Sequence, residues 1–218
     1  MIDIEIFGLS NSTFLIKNST GKKILLDPFT PFGIVNQHIS ADIITYSKTF
    51  NNATNINISN PHCKIINTTD TFKDNYISIK GYSSYSDKIN GLKRGENNIY
   101  VLKTDNYKLC HLGYLGHFLN PELIKLLKDM DFLFVPIGGN LSLNGDDAFK
   151  LCKELSPKYI IPMCYKCNKN TFYYNDPKSF LSKCKNIKII NDRVIDTTNL
   201  SNNSNELVLF IDDKKRIV

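Results

Sequence analysis

The chain has 218 residues, of which 42% are hydrophobic and 22% are charged. This length and composition are typical of one globular domain with a sizeable buried core. No apolar run approaches the ~20 residues that a membrane-spanning helix needs, and the N-terminus lacks the basic-then-apolar order of a signal peptide. We therefore expect a cytoplasmic protein with a single domain over residues 1–218 and no membrane association.

The net charge is +6, and the lysines are spread along the chain. Spread charge is typical of a solvated surface, whereas a nucleic-acid-binding surface gathers basic and aromatic residues on one face. Binding to nucleic acid is therefore disfavoured. The six cysteines are scattered and most lie in apolar segments, as expected for reduced thiols in the core.

Strand patterns dominate the first half of the sequence. Short segments are wholly apolar or alternate apolar and polar residues, and turn residues such as those at 18–21 separate them. Asp27-Pro28 ends one strand, because proline cannot donate to a strand ladder. The predicted strands are 2–7, 13–17, 23–26, 41–46, 64–67, 76–79, 99–104 and 108–111.

Helices alternate with buried strands in the second half. Asn120 followed by Pro121 predicts the start of one helix, and apolar residues at helical spacing predict another over 145–155. The remaining predictions are a third helix over 176–184 and strands over 132–136, 159–162, 187–190 and 206–211. This order of elements predicts an α+β fold, with two mixed sheets packed face to face and helices outside.

Three segments resemble a known family. Residues 24–28 are Ile-Leu-Leu-Asp-Pro, residues 109–117 are Leu-Cys-His-Leu-Gly-Tyr-Leu-Gly-His, and residues 131–139 are Asp-Phe-Leu-Phe-Val-Pro-Ile-Gly-Gly. They resemble the metallo-β-lactamase fold superfamily, in particular its small stand-alone, lactonase-like, zinc-dependent hydrolases. The resemblance implies a four-layer αββα sandwich of the metallo-β-lactamase type over the single domain.

The same resemblance implies that the metal-ligand motifs of the family are lost. The positions implied for its ligands carry Lys48, Phe50, Asn52, Ala53, Ser86, Tyr114 and Cys164. Zinc is held by histidine nitrogen, cysteine sulfur or carboxylate oxygen, so only the cysteine of this set is an ordinary ligand, and one ligand is not a site. We therefore predict no bound metal and no cofactor.

Without a metal there is no activated hydroxide of the kind that the family uses. We therefore expect a degenerate, non-catalytic pseudo-hydrolase that binds a small anionic ligand or a protein partner. The residues expected to line its binding site are Asp27, Lys48, Asn52, Ser86, Arg94, Tyr114, His117, Gly139, Asn140 and Cys164.

Two alternatives remain open. One is a hydrolase with metal-independent chemistry, in which a Cys164 thiolate beside His117 acts as the nucleophile and Lys48 assists. The other is a nucleic-acid-associated protein, because the chain is basic and some members of the superfamily process RNA. The direction of Lys48 is open too: it points either into the former metal pocket or out to solvent.

Overall fold

The computed structural model describes residues 4–9, 12–30, 33–34, 39–48, 60–167, 171, 173–200 and 207–211. Its strands are β1 (Glu5–Gly8), β2 (Phe14–Lys17), β3 (Lys23–Leu26), β4 (Phe29–Thr30), β5 (Gly33–Ile34), β6 (Ile43–Thr45), β7 (Lys64–Ile66), β8 (Thr71–Lys73), β9 (Ser78–Tyr85), β10 (Glu96–Thr104), β11 (Tyr107–His111), β12 (Phe132–Pro136), β13 (Tyr159–Met163), β14 (Ile187–Ile190), β15 (Val194–Asp196) and β16 (Leu207–Ile211). Its helices are α1 (Pro121–Leu126), α2 (Gly145–Leu155) and α3 (Lys178–Leu181).

Two mixed sheets form the body of the protein. The smaller sheet has the order β15-β1-β2-β3-β6-β7, and its last three strands are parallel. The larger sheet has the order β14-β16-β13-β12-β11-β10-β9-β8. Its strands from β14 to β11 are parallel, and β10, β9 and β8 continue it as an antiparallel meander. The short strands β4 and β5 pair with each other.

Alternation along the strands creates two apolar layers. In β12, Phe132 and Phe134 point into the core between the two sheets, where they meet side chains of the smaller sheet such as Ile16. Leu133 and Val135 point to the opposite face of the larger sheet. Successive side chains of a strand point to opposite faces, so a strand covered on both sides is apolar throughout. The α+β sandwich of two mixed sheets is thereby confirmed.

The described helices pack on the outer face of the larger sheet. Helix α2 buries Ala148, Leu151 and Leu155 in the layer that also contains Leu133 of β12. The prediction of this helix over 145–155 is confirmed, and Asn144 caps it by accepting a hydrogen bond from the Asp147 amide at 2.8 Å. None of the helices in the described ranges is long and apolar enough to cross a membrane.

The third helix is shorter than predicted. It covers Lys178–Leu181 and not 176–184. The Asp176 carboxylate accepts from the Lys178 amide at 2.9 Å, which holds the preceding residues in a turn. At the other end, the amides of residues 183 and 184 bond to carbonyls three residues back, so the α-helical pattern does not continue.

Candidate functional site

The carboxyl ends of the parallel strands of both sheets meet at one edge of the sandwich. Asp27 follows β3, Ser47 follows β6 and Cys164 follows β13. Two contacts join the sheets at this edge. The hydroxyls of Ser12 and Tyr114 lie 2.9 Å apart, and Asp27 Oδ2 lies 3.8 Å from His111 Nδ1. In layered α/β architectures, this edge is where ligand sites form.

Asp27 is a buried carboxyl with one unsatisfied oxygen. The amide of Ser47 donates to its Oδ1 at 2.6 Å, and the hydroxyl of Thr13 donates to its backbone carbonyl at 2.6 Å. Its Oδ2 has no hydrogen-bond partner among the described residues, and the residue is 2% exposed. Burial raises the pKa of Asp27 to about 7, because removal from water disfavours the charged form, although the bonds from Ser47 oppose the shift.

His111 faces this carboxyl as a neutral ring. Its Nε2 lies 3.3 Å from the Ser12 carbonyl, which only accepts hydrogen bonds, so we assign the ring proton to Nε2. Its Nδ1 is then an acceptor, 3.5 Å from the Ser47 hydroxyl and 3.8 Å from Asp27 Oδ2. Burial lowers the pKa of His111 to about 4, so at neutral pH this approach is not an ion pair.

Tyr114 and Cys164 occupy two of the positions implied for metal ligands. Burial raises the pKa of the Tyr114 phenol well above its usual range and that of the Cys164 thiol to about 12. Both side chains are buried, and Cys164 hydrogen-bonds to Tyr174. At neutral pH they are therefore protonated, uncharged groups.

Cys164 also has a left-handed backbone, with a φ of +54°. Asp27 and Asn140 share this conformation, with φ of +43° and +53°. Asparagine and aspartate tolerate it, but cysteine rarely adopts it. Such strain persists only where the surroundings impose it, and it is enriched at functional sites.

Lys48 points towards the loop that connects β9 to β10. Its ammonium donates to the Arg94 carbonyl, and it lies 3.3 Å from the Ser86 hydroxyl. The side chain is half-buried, and its ammonium lies against this loop instead of pointing out to solvent. Desolvation and the nearby Arg94 lower the pKa of Lys48, and Asp87 opposes this effect.

The β9–β10 loop is built around Asp87. Its carboxylate accepts four backbone hydrogen bonds at 2.6–3.0 Å, from the amides of residues 89, 91, 93 and 94. Desolvation acts to raise the pKa of Asp87, but the four bonds together outweigh it and lower the pKa. Arg94 closes the loop by donating from Nη1 to the Ser86 carbonyl at 3.0 Å. Ser86 and Arg94 therefore lie together, as two members of the predicted site.

His117 and Cys164 do not form the catalytic pair that was one alternative. His117 Nε2 accepts from the Tyr85 amide at 3.1 Å, and its Nδ1 lies 2.7 Å from the Phe118 carbonyl. Cys164 is held by Tyr174 in the core between the sheets. The structure gives this alternative no support, because His117 fixes the loop after β11 and the raised pKa of Cys164 disfavours a thiolate.

Gly139 and Asn140 lie after β12, on a loop that closes against residues 173–175. The Asn140 amide donates to the Tyr173 carbonyl at 2.5 Å. Gly139 has a φ of +68°, and a Cβ there would lie 2.7 Å from the Asn175 side chain. Of the other predicted site residues, Asn52 lies outside the described residues, as do Phe50 and Ala53.

Asn97 is a site residue that the sequence did not indicate. Its Oδ1 accepts from the Tyr114 amide at 2.7 Å, and its Nδ2 donates to Ser84 Oγ and to the Leu112 carbonyl at 2.8 and 3.0 Å. It is buried and fixes the loop that carries Tyr114. Its partners lie 13–17 residues away, so no local pattern marks it.

Comparison with known proteins defines the family. Residues 5–164 match the model of the Beta-lactamase superfamily domain, which is more than half of the chain. The chain therefore belongs to the β-lactamase superfamily, as the resemblance implied.

Two curated relatives are named UPF0173 metal-dependent hydrolase. The one from Pelotomaculum thermopropionicum is 36% identical over 83 residues, which is 38% of this chain and 36% of the relative. The one from Thermoplasma acidophilum is 31% identical over 118 residues, which is 53% of this chain and 50% of the relative. The matched segments thus span between a third and a half of these relatives.

The fold is shared with a crystal structure from Thermotoga maritima, described as a candidate Zn-dependent hydrolase of the metallo-β-lactamase superfamily. It is 25% identical, covers 95% of this chain and 98% of its own, and has a TM-score of 0.77. The expectation of a non-catalytic pseudo-hydrolase is wrong, because relatives and structural neighbour alike are described as hydrolases. These findings also give no support to the nucleic-acid alternative.

The described side chains do not fit the metal centre that these names imply. In the described ranges, no group of three or more His, Cys, Asp and Glu could hold a metal ion. Residues 49–59, which lie outside those ranges, contain none of the four residue types. At the edge itself the potential donors are a protonated thiol, a neutral imidazole and a single carboxyl.

Proposed function

We propose that this chain is a hydrolase of small molecules in which Asp27 acts as the general base. The observation that carries the proposal is the Asp27 carboxyl, which combines a pKa of about 7 with an oxygen that has no partner among the described residues. A base with a pKa near the working pH is present in its active form and still binds a proton well. The family membership and the names of the relatives support hydrolysis as the reaction.

The neighbouring groups support this role. His111 is neutral, with the proton on Nε2, so its Nδ1 lone pair faces Asp27 Oδ2. When Asp27 takes a proton from an attacking water, the His111 Nδ1 lone pair is the acceptor that faces the new O–H group. The proton then returns to the leaving group as the scissile bond breaks. The Ser47 amide holds Oδ1 throughout and fixes the carboxyl orientation.

The first test is a hydrolysis panel on the purified protein. We expect turnover of at least one of an aryl ester, a lactone and an aryl phosphodiester, with a rate that rises with pH through an apparent pKa of about 7. The rate is followed by absorbance or pH-stat from pH 5 to 9, with metal content measured on the same sample. Added Zn²⁺ and Mn²⁺ form parallel arms, since the relatives are named metal-dependent.

Two variants distinguish hydrolysis by this protein from hydrolysis by a contaminating enzyme. Lys128→Ala removes an exposed charge between α1 and β12, at the other end of the strand, and its activity is expected to match that of the parent. Asp27→Asn is expected to be inactive. Absence of hydrolysis with every substrate, with and without metal, would overturn the proposal, as would full activity in Asp27→Asn.

A further inference from the structure

A small cavity lies on the outer face of the larger sheet, beside helix α2. It has a volume of about 120 Å³. Its walls come from α2, from β13 and β16 and from residues 183–186, which follow α3. Cavities that take organic ligands have volumes of ~300 Å³ or more. This cavity is therefore suited to a small reagent such as hydrogen peroxide.

Two cysteines share the wall of this cavity. Cys152 comes from α2 and is 2% exposed, and Cys184 comes from the segment after α3 and is half-buried. Both pack in the same apolar layer, which also contains Phe149 and Phe180. Groups on the wall of so small a cavity lie close to one another. The fold therefore brings together two thiols that are far apart in the sequence.

Contacts between α2 and α3 fix this arrangement. The Phe180 ring meets the Phe149 ring edge-on, with the ring centroids 6.4 Å apart. The Cys184 thiol donates to the Phe180 carbonyl at 3.4 Å, so its sulfur stays beside the same residue. Phe149 and Cys152 are three residues apart in α2 and thus lie on one face of the helix. Both sulfurs are therefore held at the junction of α2 and α3.

Lysines surround the more accessible of the two thiols. Three of them line the cavity, namely Lys153, Lys183 and Lys185, and the last two flank Cys184 directly in the sequence. Lys183 pairs with Asp146 at 3.1 Å, which offsets part of this charge. Positive charge near a cysteine favours the thiolate, which is the reactive form. A partly accessible thiol near cations, with a second thiol beside it, is typical of cysteines that respond to oxidants.

We propose that Cys184 and Cys152 form an oxidation site, which hydrogen peroxide converts to a disulfide. The Cys184 thiolate attacks one peroxide oxygen, the O–O bond breaks, and the products are a sulfenic acid and a water molecule. The Cys152 sulfur then attacks the Cys184 sulfur, and the S–O bond breaks. The oxygen leaves as a second water, which carries the proton of the Cys152 thiol. The two thiols together lose two electrons, and one hydrogen peroxide is reduced to water.

The test is oxidation of the fully reduced protein by one equivalent of hydrogen peroxide. The remaining thiols are then alkylated, and mass spectrometry of the non-reduced peptides shows which cysteines are linked. We expect a disulfide between Cys152 and Cys184 in most molecules, and a thiol reductant should restore both thiols. Cys63 is the control, because it is also half-buried but lies next to β7, outside the cavity wall. Cys63 is expected to be oxidised at least ~tenfold more slowly than Cys184.

Two variants separate the roles of the cysteines. In Cys152→Ala the sulfenic acid on Cys184 has no thiol to resolve it, so it should accumulate and be trapped by dimedone. Cys184→Ala should form neither the dimedone adduct nor the disulfide.

The decisive result comes from the parent protein and therefore does not depend on the folding of a variant. Oxidation spread over all six cysteines would overturn the proposal, and so would oxidation of Cys184 that never links it to Cys152. These outcomes are independent of hydrolytic activity, so the oxidation site and the proposed function are tested separately.

Discussion

Gly116→Ala is expected to destabilise the protein by about 3 kcal/mol or more. A Cβ at this position would lie 2.1 Å from the Ser86 carbonyl oxygen and 2.5 Å from the Asp87 amide nitrogen. These are backbone atoms, which cannot turn away as a side chain does. The Gly116 amide also donates to the Tyr85 carbonyl at 2.9 Å, so the two loops are held at this distance. Thermal unfolding should show the Tm lowered by roughly 6–12 °C.

Gly21→Ala is the control for this substitution. Gly21 has a φ of +82° and no neighbouring atom within 4 Å of a Cβ, so alanine there adds only conformational strain of roughly 1 kcal/mol. Gly116 does not have a positive φ, so its substitution tests the close approach alone. If Gly116→Ala were no more destabilising than Gly21→Ala, the β9–β10 loop would not approach the loop after β11 this closely.

Asp27→Asn is expected to lower the hydrolytic rate at least ~100-fold, because the amide cannot accept a proton from water. The amide has nearly the same shape, and its oxygen still accepts from the Ser47 amide. The loss of rate should therefore occur in a folded protein. The measurement is kcat on the substrate identified by the hydrolysis panel, with Asp129→Asn, an exposed carboxyl, as the control.

The same variant should change how stability depends on pH. The pKa of Asp27 is about 7 in the folded protein, against 3.8 for the ordinary carboxyl. Between these values the folded state holds a proton that the unfolded state has released. The carboxyl therefore contributes stability that is fully present below about pH 4 and is lost as the pH rises to 7.

Urea unfolding at pH 5 and pH 8 measures this effect. Asp27→Asn cannot lose stability by this route. The free energy of unfolding of the variant minus that of the parent should therefore increase by roughly 2–3 kcal/mol from pH 5 to pH 8. His111 acts in the opposite sense, since its lowered pKa makes stability rise between pH 4 and 6.5. That contribution is common to both proteins and largely cancels in the comparison. If this difference in free energy of unfolding were the same at pH 5 and pH 8, Asp27 would be ionised in the folded protein at both pH values.

The fold was predictable because its signals are local. The Asn120 cap, the Asp27-Pro28 strand end and the apolar run of β12 each depend on a few adjacent residues, and all appear as expected. The predicted start of the third helix was wrong, also for a local reason. Asp176 accepts a hydrogen bond from the Lys178 amide, and the helix therefore starts later than the apolar pattern indicated.

The site was predictable only in part. The resemblance placed Asp27, Tyr114 and Cys164 together, and the structure brings them to one edge of the sandwich. It did not indicate Ser12, which bonds to Tyr114 across 102 residues, or Asn97. Pairings at such separations depend on the register of whole sheets, which one sequence does not reveal. The direction of Lys48 depends likewise on a partner carbonyl 46 residues away.

The pairing of β1 with β15 has a consequence for how the chain assembles. Ile6 lies opposite Ile195, so the smaller sheet is completed only by residues that follow nearly all of the larger sheet. Contacts between distant parts of a chain require costly loop closure and slow the search for the native state. During synthesis this edge of β1 stays unpaired until β15 has been made, and an unpaired strand edge favours aggregation.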